Sequence, residues 1–321
     1  VTFAGSPDRA EARLVPEAGY EFDSFRVSGL PRRPGPALAR ALLSASAAPR
    51  ACGRIIAARR PDVVLGGGGY VAGPMILAAA LRRLPTALTE ADAHFGLANR
   101  LAAPFARRVF LSFPLEGRDP PKYVVTGRPI PAAARATSRE DGRRAFGLPA
   151  EGAVILVFGG SQGARTLNQL AVDAWGSDGP TVLHLCGEVH YEELRARVER
   201  PGYKLVAYTD EIGAALGACD LVVARAGGSI WEIAAAGKPA IVVPLPHATA
   251  DHQTANARHF EGGVEIVADA DAAGVVPALV EELLADPGRL RRMGESMLSR
   301  ARPDAAATVA EGVLGLVPAR G

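Results

Sequence analysis

Cysteine, lysine and long apolar runs are all scarce in this 321-residue sequence. Cys52, Cys186 and Cys219 are odd in number, scattered and form no C-x-x-C pair. That argues against a disulfide framework and a zinc site, and predicts reduced, mostly buried thiols of a cytosolic protein. No stretch reaches the roughly 18 consecutive apolar residues that a spanning helix needs, and the opening residues do not read as a secretory signal. Lysine occurs only at Lys122, Lys204 and Lys238, so the basic charge is almost entirely arginine.

What is present is a globular composition: 48% hydrophobic and 22% charged residues, with a net charge of +2. The small sum hides an asymmetry. Residues 1–130 hold 18 Lys/Arg against 10 Asp/Glu, and residues 131–321 hold 18 against 24. A basic half joined to an acidic half predicts two domains with different partners. The basic half could face anionic lipid or nucleic acid, or carry a mere scatter of solvated arginines.

Short β-branched runs alternate with helical segments, the pattern of an α/β chain with parallel sheets. Strands are expected at 1–5, 62–66, 86–90, 108–112 and 123–127, with helices over 36–59 and 73–83. The Pro-rich stretch from Phe113 to Pro131 predicts a boundary. The rhythm restarts at 153–159, 181–186, 203–208, 221–225, 240–244 and 264–268, and residues from 273 onward read as helices. Two Rossmann-like domains facing across a cleft are the expected fold, divided as 1–130, 131–305 and a C-terminal helix, 306–321, packing back on the first domain. The chain opens at Val1 inside an apparent strand, without the strand, glycine turn and helix that normally begin such a domain. The expectation is an N-terminally shortened sequence with a poorly stable first domain.

Four segments carry chemistry. In Ala153–Leu170, an apolar strand ends in Gly159, Gly160, Ser161, Gln162 and Gly163, and a helix begins near Ala164. Glycines admit a ligand close to the backbone, and helix-start N–H groups favour phosphate. No Gly-Lys-Ser/Thr follows, so this is not a Walker loop. In Ala224–Pro244, a strand ends at Arg225, Gly227 and Gly228 open the turn, and a helix runs from Ser229 to Ala236. Glu232 there could accept from ribose hydroxyls, or Ser229 and Glu232 could simply form a capping box.

The loop Pro244–Ala257 supplies His247, Thr249, Asp251, His252, Gln253 and Asn256, which suit sugar or diphosphate contacts better than a metal, having no familiar ligand spacing. Four successive glycines, Gly66–Gly69, leave room beside the backbone, and Glu90, Asp92, His94 and Asn99 are expected to form a polar rim.

In their order along the chain, GGGGYVAGP, TEADAHFGLANR, TGRPIP, FGGSQGARTLNQ, ARAGGSIWEIAAAGKPAIVVP and DHQTANA resemble the blocks of the peptidoglycan N-acetylglucosaminyltransferases of glycosyltransferase family 28. The resemblance runs along essentially the whole chain. It implies a GT-B fold and inverting transfer of GlcNAc from UDP-GlcNAc to lipid I, giving lipid II, by a peripheral enzyme on the cytoplasmic face of the membrane. It implies that the donor is held by Ser161, Gln162 and Gly163 at the diphosphate and Thr209 at the uracil. Ser229, with Gly228 and Ile230, would serve the α-phosphate, Glu232 the ribose and Gln253 the GlcNAc hydroxyls. No cofactor, metal or nucleic acid is implied; the partners are UDP-GlcNAc, lipid I and an anionic membrane surface. On that surface Arg32, Arg33, Arg40, Arg50, Arg54, Arg82 and Arg83 would flank Leu38, Leu42, Leu43, Ile76 and Leu77.

The sequence departs from the family in places. Thr89-Glu90-Ala91-Asp92 stands where the family has His-Glu-Gln-Asn, so Asp92 replaces a donor-facing asparagine. Gly127–Pro131 stands where it has Gly-Asn-Pro-Val-Arg, so Pro131 replaces an arginine and Arg128 is the expected substitute. The family's first glycine-rich loop, with the histidine proposed as base, has no counterpart here. The catalytic residue is therefore unassigned, and little turnover is expected. Rival readings are a family 28 transferase with a diacylglycerol acceptor, a UDP-GlcNAc 2-epimerase, and an inactive donor-binding remnant.

Overall fold

The computed structural model describes residues 1–27, 36–160 and 163–318, and for 36–46 the backbone alone. It divides into two units: 1–91 with 95–126 and 307–321, and 92–94 with 127–306.

The first unit opens with β1 (Thr2–Gly5), α1 (Glu11–Glu17) and β2 (Glu21–Ser24). It continues through α2 (Pro36–Arg59), β3 (Val64–Gly66), α3 (Gly69–Ala80), β4 (Thr86–Glu90), α4 (Leu97–Ala102), β5 (Arg108–Leu111) and β6 (Tyr123–Val125). Its strands form two separate parallel sheets, β1-β2 and β3-β4-β5-β6. β2 escaped the sequence pattern: Glu21-Phe22-Asp23-Ser24 has neither an apolar run nor β-branched residues. Its two acids are instead held by Arg59, at 2.8 Å from Glu21 and 2.7 Å from Asp23. Its apolar clusters include one of Phe25, Cys52, Ile56 and Ala79 and one of Ile76, Leu88, Phe95 and Leu111.

The second unit holds α5 (Arg139–Phe146), β7 (Val154–Phe158), α6 (Arg165–Trp175), β8 (Thr181–Leu185), α7 (Glu188–Arg195), β9 (Tyr203–Val206) and α8 (Ile212–Ala218). β10 (Leu221–Ala224), α9 (Ile230–Ala235), β11 (Ala240–Val242), α10 (His252–Arg258), β12 (Val264–Ile266), α11 (Ala272–Ala285) and α12 (Pro287–Arg300) complete it. From residue 307 on, α13 (Ala305–Leu314) belongs to the first unit, where Val309 packs with Ala87 and Phe110.

Local chemistry explains these elements. Every residue of β7, Val154-Ile155-Leu156-Val157-Phe158, is buried, as a central strand covered on both faces must be. In α6 the buried Leu167, Leu170, Ala171 and Trp175 recur at helical spacing. α5 starts where the Ser138 hydroxyl accepts from the Asp141 amide at 3.1 Å and stops at Gly147 in the left-handed region. α12 starts on Pro287, with Asp286 accepting from the Arg289 amide at 2.8 Å.

The second unit's six strands are parallel in the order β12-β11-β10-β7-β8-β9. The order reverses between β7 and β10, so the loops leaving those strands part to opposite sides and open a crevice at their carboxyl ends. Every strand expected from the sequence is present.

Candidate functional site

A cavity of about 890 Å³ lies at that crevice, entirely within the second unit. Its wall is built from the strand-end loops: Gly159 and Gly160 after β7, Gly187 after β8, Thr209 after β9, Arg225 and Gly227 after β10. Gly160 and Gly163 have φ of +90° and +74°, and Gly163 lies so tightly against the Cys186 carbonyl that no side chain fits. Gly163, Ala164 and Arg165 bring the start of α6 to the cavity, where free N–H groups and the helix dipole favour an anion.

Of the expected donor residues, Gly163, Thr209, Gly228, Ser229, Glu232, Gln253 and Arg128 all line this one cavity, as does Pro131. Ser161 and Gln162 lie outside the described residues. Ile230 is fully buried beneath the start of α9 rather than in the wall. Asp92 is not among the lining residues; its carboxylate accepts from Asn256 Nδ2 at 3.2 Å, and the Ala93 amide donates to Asn256 Oδ1 at 2.7 Å. Asn256, which also donates to the Ala226 carbonyl, is thus a buried fastener that does not line the cavity.

Ser229 makes no side-chain capping bond and has helical backbone angles, so the capping box suggested by its spacing to Glu232 is not formed. Both side chains are left to the cavity. Burial raises the Glu232 carboxyl above its ordinary range, and the nearby Arg128 guanidinium opposes that rise. The Arg128 guanidinium lies against Gly228, where a Cβ would meet it at 2.5 Å. Gln253 accepts from the Leu245 amide at 2.9 Å, which sets the orientation of its side chain on the Gly227 side of the cavity. Thr209 accepts from the Glu211 amide at 3.0 Å.

Arg225 is a wall residue that its place at a strand end had not singled out. It is 8% exposed, donates to the carbonyls of Val243 at 3.0 Å and Pro244 at 3.2 Å, and pairs with Asp269, which also accepts from Thr166 at 3.3 Å. One buried cation thereby ties the ends of β10 and β11, the loop after β12 and the start of α6. An arginine directly after a four-residue apolar strand was the available signal.

In the first unit the expected polar rim is not a rim. Glu90 and Asn99 are buried, and the Glu90 carboxylate accepts from the amides of Ala91 and Gly96 at 2.9 and 3.0 Å and from Asn99 Nδ2 at 2.8 Å. It shapes the loop to α4, because a buried carboxylate must be surrounded by donors. Ile76, expected on the surface, is fully buried in the core; Arg32 and Arg33 fall outside the described residues, as do the side chains of Arg40, Leu38, Leu42 and Leu43.

The model of the glycosyltransferase family 28 N-terminal domain matches residues 1–111, and that of the family 28 C-terminal domain matches residues 154–309. The chain belongs to glycosyltransferase family 28. A relative from Salinibacter ruber, named UDP-N-acetylglucosamine--N-acetylmuramyl-(pentapeptide) pyrophosphoryl-undecaprenol N-acetylglucosamine transferase, is 40% identical over 98% of this chain and 88% of its own length. The crystal structure of Acinetobacter baumannii MurG is similar at a TM-score of 0.78, with 26% identity over 98% of this chain and 91% of that one. A UDP-GlcNAc 2-epimerase from Neisseria meningitidis, bound to UDP-GlcNAc, shares the fold alone, with a TM-score of 0.64 and 14% identity over 98% of this chain and 99% of that one. The family 28 chain therefore has the GT-B fold, and the epimerase reading gives way to a glycosyltransferase.

Proposed function

We propose that this family 28 chain transfers N-acetylglucosamine from UDP-N-acetylglucosamine to the undecaprenyl-pyrophosphoryl-N-acetylmuramyl-pentapeptide lipid I, forming lipid II with inversion at the sugar. The observation that carries it is the cavity at the strand-order reversal, walled by a glycine turn, a helix start, a buried arginine and a half-buried carboxylate. The names of the relatives supply the acceptor.

In this reading the diphosphate rests on the glycine turn that includes Ser161, Gln162 and Gly163, against the start of α6. Ser229, Gly228 and Ile230 serve the α-phosphate end, and Arg128 stands in for the arginine absent at Pro131. Glu232 accepts from the ribose hydroxyls, Thr209 faces the uracil and Gln253 the GlcNAc hydroxyls. The acceptor hydroxyl gives its proton to a base, to which no residue here is assigned, and forms its bond to the sugar's anomeric carbon as the bond to the diphosphate oxygen breaks; UDP leaves with the electron pair. Charge accumulates on the departing diphosphate, so helix-start N–H groups aimed there stabilise the transition state more than the ground state. Asp92, held by Asn256, would bear on the donor indirectly through the segment it anchors.

The first unit is read as the membrane-facing one, at the cytoplasmic surface. Besides its basic balance, α4 and the turn after it expose Leu97, Leu101 and Phe105 at successive helical turns, with Arg100 exposed beside them. Among the described residues no helix is long and apolar enough to cross a membrane. The function is tested by supplying radiolabelled UDP-GlcNAc with lipid I and diacylglycerol side by side. Whatever label is incorporated, little by the expectation above, should enter the lipid I product alone; label only in the diacylglycerol product sinks the acceptor assignment, and a chain that never binds UDP sinks the donor site.

A further inference from the structure

The donor reading leaves one group of buried polar side chains unused, and it lies beneath the glycine turn. It joins Asn168, the fourth residue of α6, His184 in β8, Cys186 just past β8, and Tyr203 at the start of β9; all four are buried. The Tyr203 hydroxyl is 2.7 Å from His184 Nδ1, His184 Nε2 is 3.0 Å from Asn168 Oδ1, and Asn168 Nδ2 donates to the Cys186 carbonyl at 2.8 Å.

The direction of this chain is forced from one end. A carbonyl can only accept, so Asn168 turns Nδ2 to Cys186 and Oδ1 to the ring. His184 Nε2 must then carry the ring's hydrogen, and Nδ1 accepts from the Tyr203 hydroxyl. All three bonds run the same way, an arrangement in which each polarises the next. Because the ring has its hydrogen on one defined nitrogen, it acts as a spacer with one donor and one acceptor.

The last acceptor has a second neighbour. Gly163 packs against the same Cys186 carbonyl, and the Asn168 backbone N–H bonds the Ala164 carbonyl at 2.9 Å. Asn168 therefore holds both the floor under the turn and the first turn of α6. Gly163, Ala164 and Gly187 line the cavity, whereas Asn168, His184 and Tyr203 do not.

We propose that His184 is a positioning residue for nucleoside diphosphate binding: through Asn168 it fixes the Cys186 carbonyl on which the glycine turn rests. This inference rests on the donor reading of the cavity. It is tested by titrating UDP into the full chain by calorimetry, comparing wild type with His184→Leu, His184→Gln and Tyr203→Phe, each with its melting temperature. A glutamine amide can donate to Asn168 and its oxygen can accept from Tyr203, so it can restore the chain. His184→Leu is expected to weaken UDP about 10-fold, with Tyr203→Phe between it and wild type and His184→Gln within about 3-fold of wild type. Equal UDP affinity in all four proteins overturns the proposal. So does equal weakening by leucine and glutamine alongside a lowered melting temperature, the mark of a merely structural histidine. Where His184→Leu does not fold, Tyr203→Phe decides, and unchanged affinity there overturns the proposal. A wild-type chain that does not bind UDP overturns the donor reading, and His184 then has no nucleotide to position.

Discussion

Gly163 and the carbonyl of Cys186 are in such close contact that a Cβ on the glycine would overlap the oxygen, and Gly163 also holds φ at +74°. The contact sets how deep the glycine turn sits over the end of β8. Replacing Gly163 by alanine therefore meets both a steric and a conformational obstacle. Gly163→Ala is expected to cost at least ~1–2 kcal/mol of stability and to abolish measurable UDP binding. Urea denaturation and calorimetry check the two effects separately; a variant that binds UDP like wild type would show that the turn plays no part in the site.

Glu232 and Arg128 give a second prediction. Truncating Glu232 to alanine removes the acceptor assigned to the ribose. The expected result is UDP binding weaker by about 10–100-fold, from the loss of a charge-assisted hydrogen-bond pair, with the melting temperature nearly unchanged. Deoxyuridine diphosphate should lose affinity for wild type but not further for Glu232→Ala. Additive losses would remove the ribose assignment.

His184 makes the protein's acid limb steep. Burial depresses its pKa to about 3, and both of its side-chain neighbours, Asn168 and Tyr203, are neutral at acid pH. An unfolded histidine binds its proton near pH ~6.5. Between those values the unfolded state holds one proton more, so stability is fully present above about pH 6.5 and falls as the solution is acidified toward pH 3. The slope is ~1.4 kcal/mol per pH unit from this one group. His184→Gln should flatten that limb in denaturation curves collected from pH 7 to pH 4; an unchanged slope would mean the ring is protonated in the fold.

Arg143 is predicted to be a stability residue unconnected with the site. Its guanidinium is buried and donates to the carbonyls of Pro149, Ala150 and Gly152 at 2.9, 2.7 and 2.7 Å, and to Asp220 at 3.1 Å. Arg143→Ala takes the side-chain donor from the Pro149 and Ala150 carbonyls, while Asp220 and the Gly152 carbonyl keep Arg139; the expected cost is ~1–3 kcal/mol. UDP affinity of the folded fraction should not change, and the comparison with Gly163→Ala separates stability from binding.

On the first unit, Leu101 and Leu97 expose about 63% and 62% of their surface. Leu101→Glu is expected to reduce co-sedimentation with anionic vesicles several-fold, as an acidic head replaces an apolar contact and repels the lipid charge. Binding that ignores both this change and the vesicles' anionic content would remove the membrane role of α4.

By itself the sequence determined every strand but one and the family. Runs such as Val154–Phe158 and Leu221–Ala224 are legible because a strand buried on both faces must be apolar throughout, and the glycines after them because a ligand or a turn demands them. Glu21–Ser24 was not legible, since its pairing with β1 and its acids' hold on Arg59 depend on residues far along the chain. Tertiary structure alone decided the rest. It set the strand order that reverses between β7 and β10 and so brings Gly163, Arg128, Thr209, Glu232 and Gln253 around one cavity. It also made the expected rim residues Glu90 and Asn99, and Asn256 of the expected sugar-contacting loop, into buried fasteners, and left Ser229 without a capping bond. Most plainly, it joined Asn168, His184, Cys186 and Tyr203. Hydrogen-bond partners in a parallel sheet are chosen by register and by the helix laid over it, and neither is written in the spacing of residues along one strand.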